Sequence, residues 1–250
     1  MSYGLLRVGN VRSTDYNIYV LNVNDADVPA RDYSAYSVPG RSRDIHYDNG
    51  RFLNIDRVYN LYARSQGSVS AEDMVRAFCA ELIQLKGYQR ITDSIHTDYY
   101  KLGEFRGEVQ PRFSRFMDGV RFDLVFDCDA RKYLLSGETQ TTITNTGSST
   151  WQSKTIVNPG TLPAKPLIEF SGFTSSNCGI VKGSYQLTVS QYSGTLIYDM
   201  ELGDAYDKTS KANLNSYVTE RNSFELSPGS NSFSVKLGAT VKITPRWNSL

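Results

Sequence analysis

The sequence predicts a mainly β protein made of two β-sandwich domains, with one α-helix in the first. Three observations carry this. Apolar residues recur with a period of two along most of the chain, and one stretch alone, Ala71 to Lys86, has the helical period. Beyond Lys132 the texture changes to short apolar runs divided by Gly, Pro and Asn. A chain of 250 residues has room for two ordinary domains, and the change of texture sets them at 1–135 and 136–250.

The first element is a strand in which Tyr16, Ile18 and Val20 alternate with Asn17, Tyr19 and Leu21. From Asn24 to Gly50 that order dissolves into Asp, Pro, Ser, Arg and Tyr and ends at Asn49-Gly50. A long segment without periodicity is expected to be an arm or loop ordered by neighbours. Ser70-Ala71-Glu72-Asp73 then has the form of a capping box. Met74, Val75, Phe78, Leu82 and Leu85 follow at helical spacing, Lys86 lies in the last turn and Gly87 stops the helix. Val120, Phe122, Leu124 and Phe126 alternate with Arg121, Asp123, Val125 and Asp127. The preceding Asp118-Gly119 predicts a hairpin between Phe113–Met117 and Val120–Cys128.

In the second domain Gly137 to Lys154 is rich in Thr, Ser and Gln, and Asn158-Pro159-Gly160 marks a corner. Strands are expected at Leu167–Phe170, Tyr185–Val189 and Leu196–Asp199, and again through Phe233, Val235, Leu237 and Val241, Ile243 after the turn cluster Leu226 to Asn231. Short strands at this spacing suggest an antiparallel sandwich.

Composition removes several classes of function. Hydrophobic residues make up 40% and charged ones 21%, which suits a packed globule. No run approaches the roughly 20 apolar residues of a membrane span, and Met1–Ser13 lacks the apolar core of a secretion signal, so the chain is expected to fold where it is made. The 27 basic and 26 acidic residues nearly cancel, with 18 of each before Ser136 and 9 against 8 from there on. A dedicated nucleic-acid binder would concentrate positive charge instead. Cys79, Cys128 and Cys178 are odd in number and widely spaced, as expected of buried thiols in a reducing compartment rather than a disulfide framework or zinc site.

Candidates for chemistry are few. His46 and His96 are fifty residues apart with no metal-binding spacing. Pro159 to Lys165 has two prolines where a phosphate loop needs amide donors, and no nucleophile elbow is present. Asp127 and Asp129, flanking Cys128, are expected at a solvated strand end rather than as a catalytic pair. No cofactor, metal or catalytic residue is assigned. By contrast, 17 tyrosines with 11 phenylalanines exceed what a sandwich core requires, and tyrosine suits contact surfaces.

The second half resembles a family. The runs Asn158-Pro159-Gly160-Thr161-Leu162-Pro163-Ala164-Lys165-Pro166, Leu196-Ile197-Tyr198-Asp199, Leu226-Ser227-Pro228-Gly229-Ser230-Asn231 and Ile243-Thr244-Pro245-Arg246-Trp247 are similar, in order and spacing, to the C-terminal domain of the distal tail proteins of siphophages. Phe122 to Tyr133 resembles their domain junction, with Ala130 where proline is expected. The resemblance implies a virion protein of the phage tail tip, assembled in the host cytoplasm. A ring-forming N-terminal domain closes as a hexamer, and a galectin-like C-terminal sandwich projects outward. Its partners would be further copies of itself, the tail tube protein, the tail-associated lysin or tip protein, and receptor-binding proteins. DNA would pass through the ring without specific binding, and no membrane is involved. Asn158, Pro159, Gly160, Pro166, Asp199, Pro228, Gly229, Asn231, Pro245 and Trp247 would then carry shape, with Trp247 plugging the core. The alternative is a carbohydrate-binding adhesin module using Trp151 as a platform, against the plainer expectation that Trp151 packs between the sheets.

Overall fold

A computed structural model describes residues 4–24, 28–107, 109, 112–113, 119–144, 151–221, 223–236 and 238–250. Contacts group the chain into two compact units, Met1–Lys132 with Leu250, and Tyr133–Ser249. Among the described residues no helix is long and apolar enough to cross a membrane.

The first unit is built on one antiparallel sheet. Its strands run in the order Val11–Arg12, Leu6–Val8, Gln89–Asp93, Tyr99–Phe105, Gly119–Cys128, Ile55–Arg64, Ile18–Asn24. Gly4, just before the second of these, exchanges backbone hydrogen bonds of 3.1 and 2.8 Å with Val20 in the last. One backbone bridge thus links the segment before Leu6–Val8 to the last strand at Val20, while Val11–Arg12 stays at the margin of the sheet. Alternation decides what lies inside. Ala63 faces Val120, Leu61 faces Phe122 and Tyr59 faces Leu124 across the central strand pair, and all six are buried.

The helix spans Ala71–Gln84, with Ser70 Oγ accepting from the Asp73 amide at 3.1 Å as the capping box requires. It ends two residues before Lys86 because Leu85 is already extended. Met74, Val75, Phe78 and Leu82 point into the unit, and Phe78 meets the Tyr16 ring at 5.4 Å. Tyr16 is not in the predicted strand. Ser13–Tyr16 forms a short 3-10 turn, closed by Asn17 at φ 53°, a conformation asparagine tolerates, and the strand begins at Ile18.

The strand Ile55–Arg64, ten residues long, escapes the sequence reading. Its inward series starts with Arg57, a charged residue that hides the period of two. The expected irregular stretch from Asn24 to Gly50 is also different: it holds a two-stranded hairpin, Arg31–Tyr36 paired with Ile45–Phe52. Gly50, at φ 72°, lies within the second strand rather than ending a loop. Of the predicted Asp118-Gly119 hairpin, Arg112–Phe113 pairs with the central strand, with Phe113 opposite Val120. Residues 114–118 lie outside the described residues.

The second unit is an antiparallel sandwich of two five-stranded sheets. One runs Thr141–Thr144, Thr240–Thr244, Leu167–Ser171, Leu196–Asp199, Asp204–Asp207; the other runs Trp151–Asn158, Gly229–Lys236, Asn177–Lys182, Tyr185–Ser190, Val218–Arg221. Ile168, Phe170 and Val241 from the first sheet share a core with Ile180, Leu187 and Phe233 from the second. The strands expected at 167, 185 and 196 are present, two of them one residue longer.

Candidate functional site

The residues that carry the family resemblance are scattered over ninety positions, yet most meet at one end of the second unit. Register explains it. Asn158 lies opposite Gly229, and Leu167 lies opposite both Asp199 and Thr244. The Asn158–Pro166 corner thus passes from one sheet to the other beside the start of one strand, at Gly229, and the ends of two, at Asp199 and Thr244. Asn158, 2% exposed, saturates its side chain there. Its amide donates to the Leu162 and Leu226 carbonyls at 3.0 and 2.9 Å, and its Oδ1 accepts from the Gly160 amide at 2.8 Å. Asn231 binds its own turn, donating to the Ser227 and Gly229 carbonyls at 2.7 and 2.9 Å. The Pro166 carbonyl accepts from the Met200 amide at 3.2 Å. Pro166 and Pro245 are buried, and Pro159, Pro228 and Gly229 are exposed.

Two glycines let the segment after Arg246 approach. A Cβ on Gly160 would lie 2.1 Å from the Asn248 carbonyl oxygen, and one on Gly137 would lie 2.2 Å from the Trp247 amide. Neither position has room for a side chain. Between them Arg246, at φ 59°, gives two parallel bonds of 2.8 Å to the Asp199 carboxylate. Asp199 also accepts from the Glu201 amide at 2.9 Å. Burial works to raise the Asp199 carboxyl, but the Arg246 and backbone hydrogen bonds outweigh it and hold the group below its ordinary value. Trp247, 5% exposed, packs into the sandwich core. Apart from the buried Asn248 Oδ1, which has no hydrogen-bond partner among the described residues, the polar groups described at this corner bond to one another, so what it offers is shape.

Other candidate groups are engaged in structure. His96 sits over a buried pair in the first unit: Arg57 donates to Asp93 at 3.0 Å and to the Tyr59 hydroxyl at 2.8 Å, and the His96 amide donates to Asp93 at 2.7 Å. Burial, first of all, pushes the Tyr59 phenol well above its ordinary value. This cluster gave no signal in the sequence, because its members come from two separate strands and the loop after the second. His46 is exposed on the hairpin, its ring 6.0 Å from that of Tyr33. Asp127 and Asp129 do not act as a pair: Asp127 binds Arg106 at 3.1 Å, while Asp129 lies beyond the strand and binds Arg131 at 2.8 Å. Burial raises all three thiols, Cys79 and Cys178 to about 11 and Cys128 to about 12, away from the thiolate form that reacts. Cys79 is half-buried and the other two are buried. Among the described residues no group of three His, Cys, Asp or Glu side chains is placed to hold a metal ion. Trp151 is a strand residue, as expected, but it is 39% exposed on the outer face rather than packed between the sheets.

The surplus tyrosine has a clear destination in the hairpin of residues 28–53. Tyr33, Tyr36, Ile45 and Tyr47 are 51, 61, 48 and 66% exposed. Among the described residues the two strands pair only with each other, tied by Arg31–Asp48 at 2.9 Å and Arg51–Asp32 at 2.6 Å. A lone two-stranded hairpin is marginal in water, and one presenting tyrosines on both faces is built for contact.

No family model and no curated protein match the sequence. Solved structures do. The crystal structure of the SPP1 Dit protein, described as a hub of the adsorption apparatus in phages infecting Gram-positive bacteria, covers 100% of both chains with a TM-score of 0.70 and 15% identity. The phage P2 baseplate in its activated conformation with Ca covers 97% of this chain and 98% of the other, with a TM-score of 0.50 and 10% identity. The same baseplate with Sr gives 0.50 at 8% identity. From end to end, this chain has the fold of the Dit hub protein of SPP1.

Proposed function

We propose that the chain is a structural hub of a bacteriophage tail tip, whose copies close into a six-membered ring between the tail tube and the host-adsorption apparatus. The observation that carries this reading is the full-length likeness to a phage hub protein. The exposed hairpin supports it from the molecule itself, as an arm that reaches a neighbour. A ring needs head-to-tail contacts between two different patches, and an arm with a separate receiving face supplies them. The second unit, a galectin-like sandwich in this reading, faces outward toward receptor-binding proteins; the tail tube protein and the lysin or tip protein stack on the ring. The protein works by contact and performs no reaction. Its place is the virion, reached from the host cytoplasm.

Light scattering tests the ring. Six copies of 28.1 kDa give about 169 kDa, and a chain that stays a monomer at about 100 μM, far above the Kd of a stable interface, refutes it. A second reading, a carbohydrate-binding module, is favoured by one observation: Trp151 shares the outer face with hydroxyl pairs Ser153–Ser234 and Thr155–Ser232, at 3.0 and 2.9 Å. Saturable glycan-array binding that Trp151→Ala abolishes would support it, and a blank array would dispose of it.

A further inference from the structure

We propose that the arm tip, through Arg41 and Arg43, seats on a row of carboxylates crossing the outer face of the first unit's sheet in a neighbouring copy. This rests on the ring reading and names the surface that receives the arm.

The receiving face is set by register. Asp56 lies directly opposite Asp127, and Asp127 directly opposite Glu104, on three adjacent strands. Their inward neighbours Phe126 and Cys128 are fully buried, so the three acids share the outer face. Like charges placed directly opposite are destabilising in a sheet. One guanidinium serves them: Arg106 reaches Asp56 at 3.0 Å and Asp127 at 3.1 Å, and Asn54 donates to Asp127 at 2.7 Å. Glu104 has no ion-pair or hydrogen-bond partner among the described residues. Three carboxylates against one arginine leave the row with an excess of two negative charges. Beside it Val58 and Val125 are opposite each other and half exposed on the same face.

The arm is complementary in both respects. Arg41 and Arg43 are exposed at its tip without an ion-pair partner among the described residues, and with Asp44 they leave the tip net positive. On its stem Tyr36 pairs with Ile45 and Ser34 with Tyr47, which puts Tyr36, Ile45 and Tyr47 on one face. An apolar stem and a cationic tip thus match an apolar pair beside an acidic row. The tip does not return to its own row. The arm springs from Leu53 and Asn54, next to Asp56, and its eight-residue strand Ile45–Phe52 carries the tip about 25 Å away at the usual rise per residue. The row it meets belongs to a second copy.

Charge exchange tests this, read as the association constant by light scattering or sedimentation. Arg41→Glu with Arg43→Glu is expected to weaken association about tenfold at low salt, with the difference fading near 1 M salt. Asp56→Arg with Glu104→Arg, which turns the row's excess from two negative charges to two positive ones, should weaken it similarly, and the four changes together should restore association to within about threefold of the original. All four sites are exposed, so unfolding curves should be unchanged. If the original chain assembles and the arginine variant assembles equally well, or if the combined variant stays weak, this docking is wrong while the ring stands. If the original chain remains at 28.1 kDa, the ring reading falls and the docking with it.

Discussion

Replacing Asn158 by alanine isolates what holds the second unit's corner. The substitution removes three hydrogen bonds. The buried Gly160 amide is left without its acceptor, which costs about 1–3 kcal/mol. The Leu162 carbonyl is half exposed and recovers water, and the Leu226 carbonyl keeps its bond from the Ala164 amide at 3.0 Å, so each loses only about 0.5–1 kcal/mol. The sum is about 3 kcal/mol. With a urea m value of about 1.5 kcal/mol/M, the midpoint should fall by about 2 M. Both tryptophans lie in the second unit, so their fluorescence reports its unfolding apart from that of the first. Asn158→Asp should do no better, because it turns a carboxylate oxygen toward two carbonyls. Val157→Ala, one residue away but 64% exposed, should stay within about 0.5 kcal/mol. If Asn158→Ala unfolds within 0.5 M of the parent, an m value of this size leaves too little energy for the knot described.

Two further outcomes follow from the same geometry. Asp199 has its carboxyl held below its unfolded value, so its contribution is fully present above that value and is lost as pH falls through the lowered one. Asp199→Asn should cost about 2 kcal/mol at pH 7, and its melting temperature should converge on the parent's toward pH 2; a gap that is constant with pH would exclude the ion pair as its source. With thiols raised by burial to about 11 and 12, Cys128 and Cys178 should resist a disulfide reagent at pH 8 until denaturant is added, and rapid labelling of either in the native protein would contradict their burial.

Much of this was legible in the sequence where side-chain period and backbone chemistry agree. The helix announced itself through its cap and stripe, and Leu196–Asp199 through its apolar run between turns. Ile55–Arg64 was not legible, because Arg57 occupies an inward position whose partner, Asp93, comes from another strand. The arm was legible as an exception and not as a hairpin: with neither face buried, nothing imposes a period of two on its residues. The corner residues could be named from their turn chemistry, but their meeting depends on register between strands up to ninety residues apart. The carboxylate row was least legible, since Asp56, Glu104 and Asp127 line up only after three strands align.

The bond pair between Gly4 and Val20 has a consequence for growth. The bridge occupies the free side of the last strand of the first unit's sheet at Val20, so another chain's strand cannot pair along that strand's whole length. Among the described residues of that unit a tyrosine-bearing finger protrudes, and in the ring proposed above a finger and a socket on each member would make every joint alike. The number of members in such a circlet would then be fixed by the angle between finger and socket, not by how much protein the cell makes.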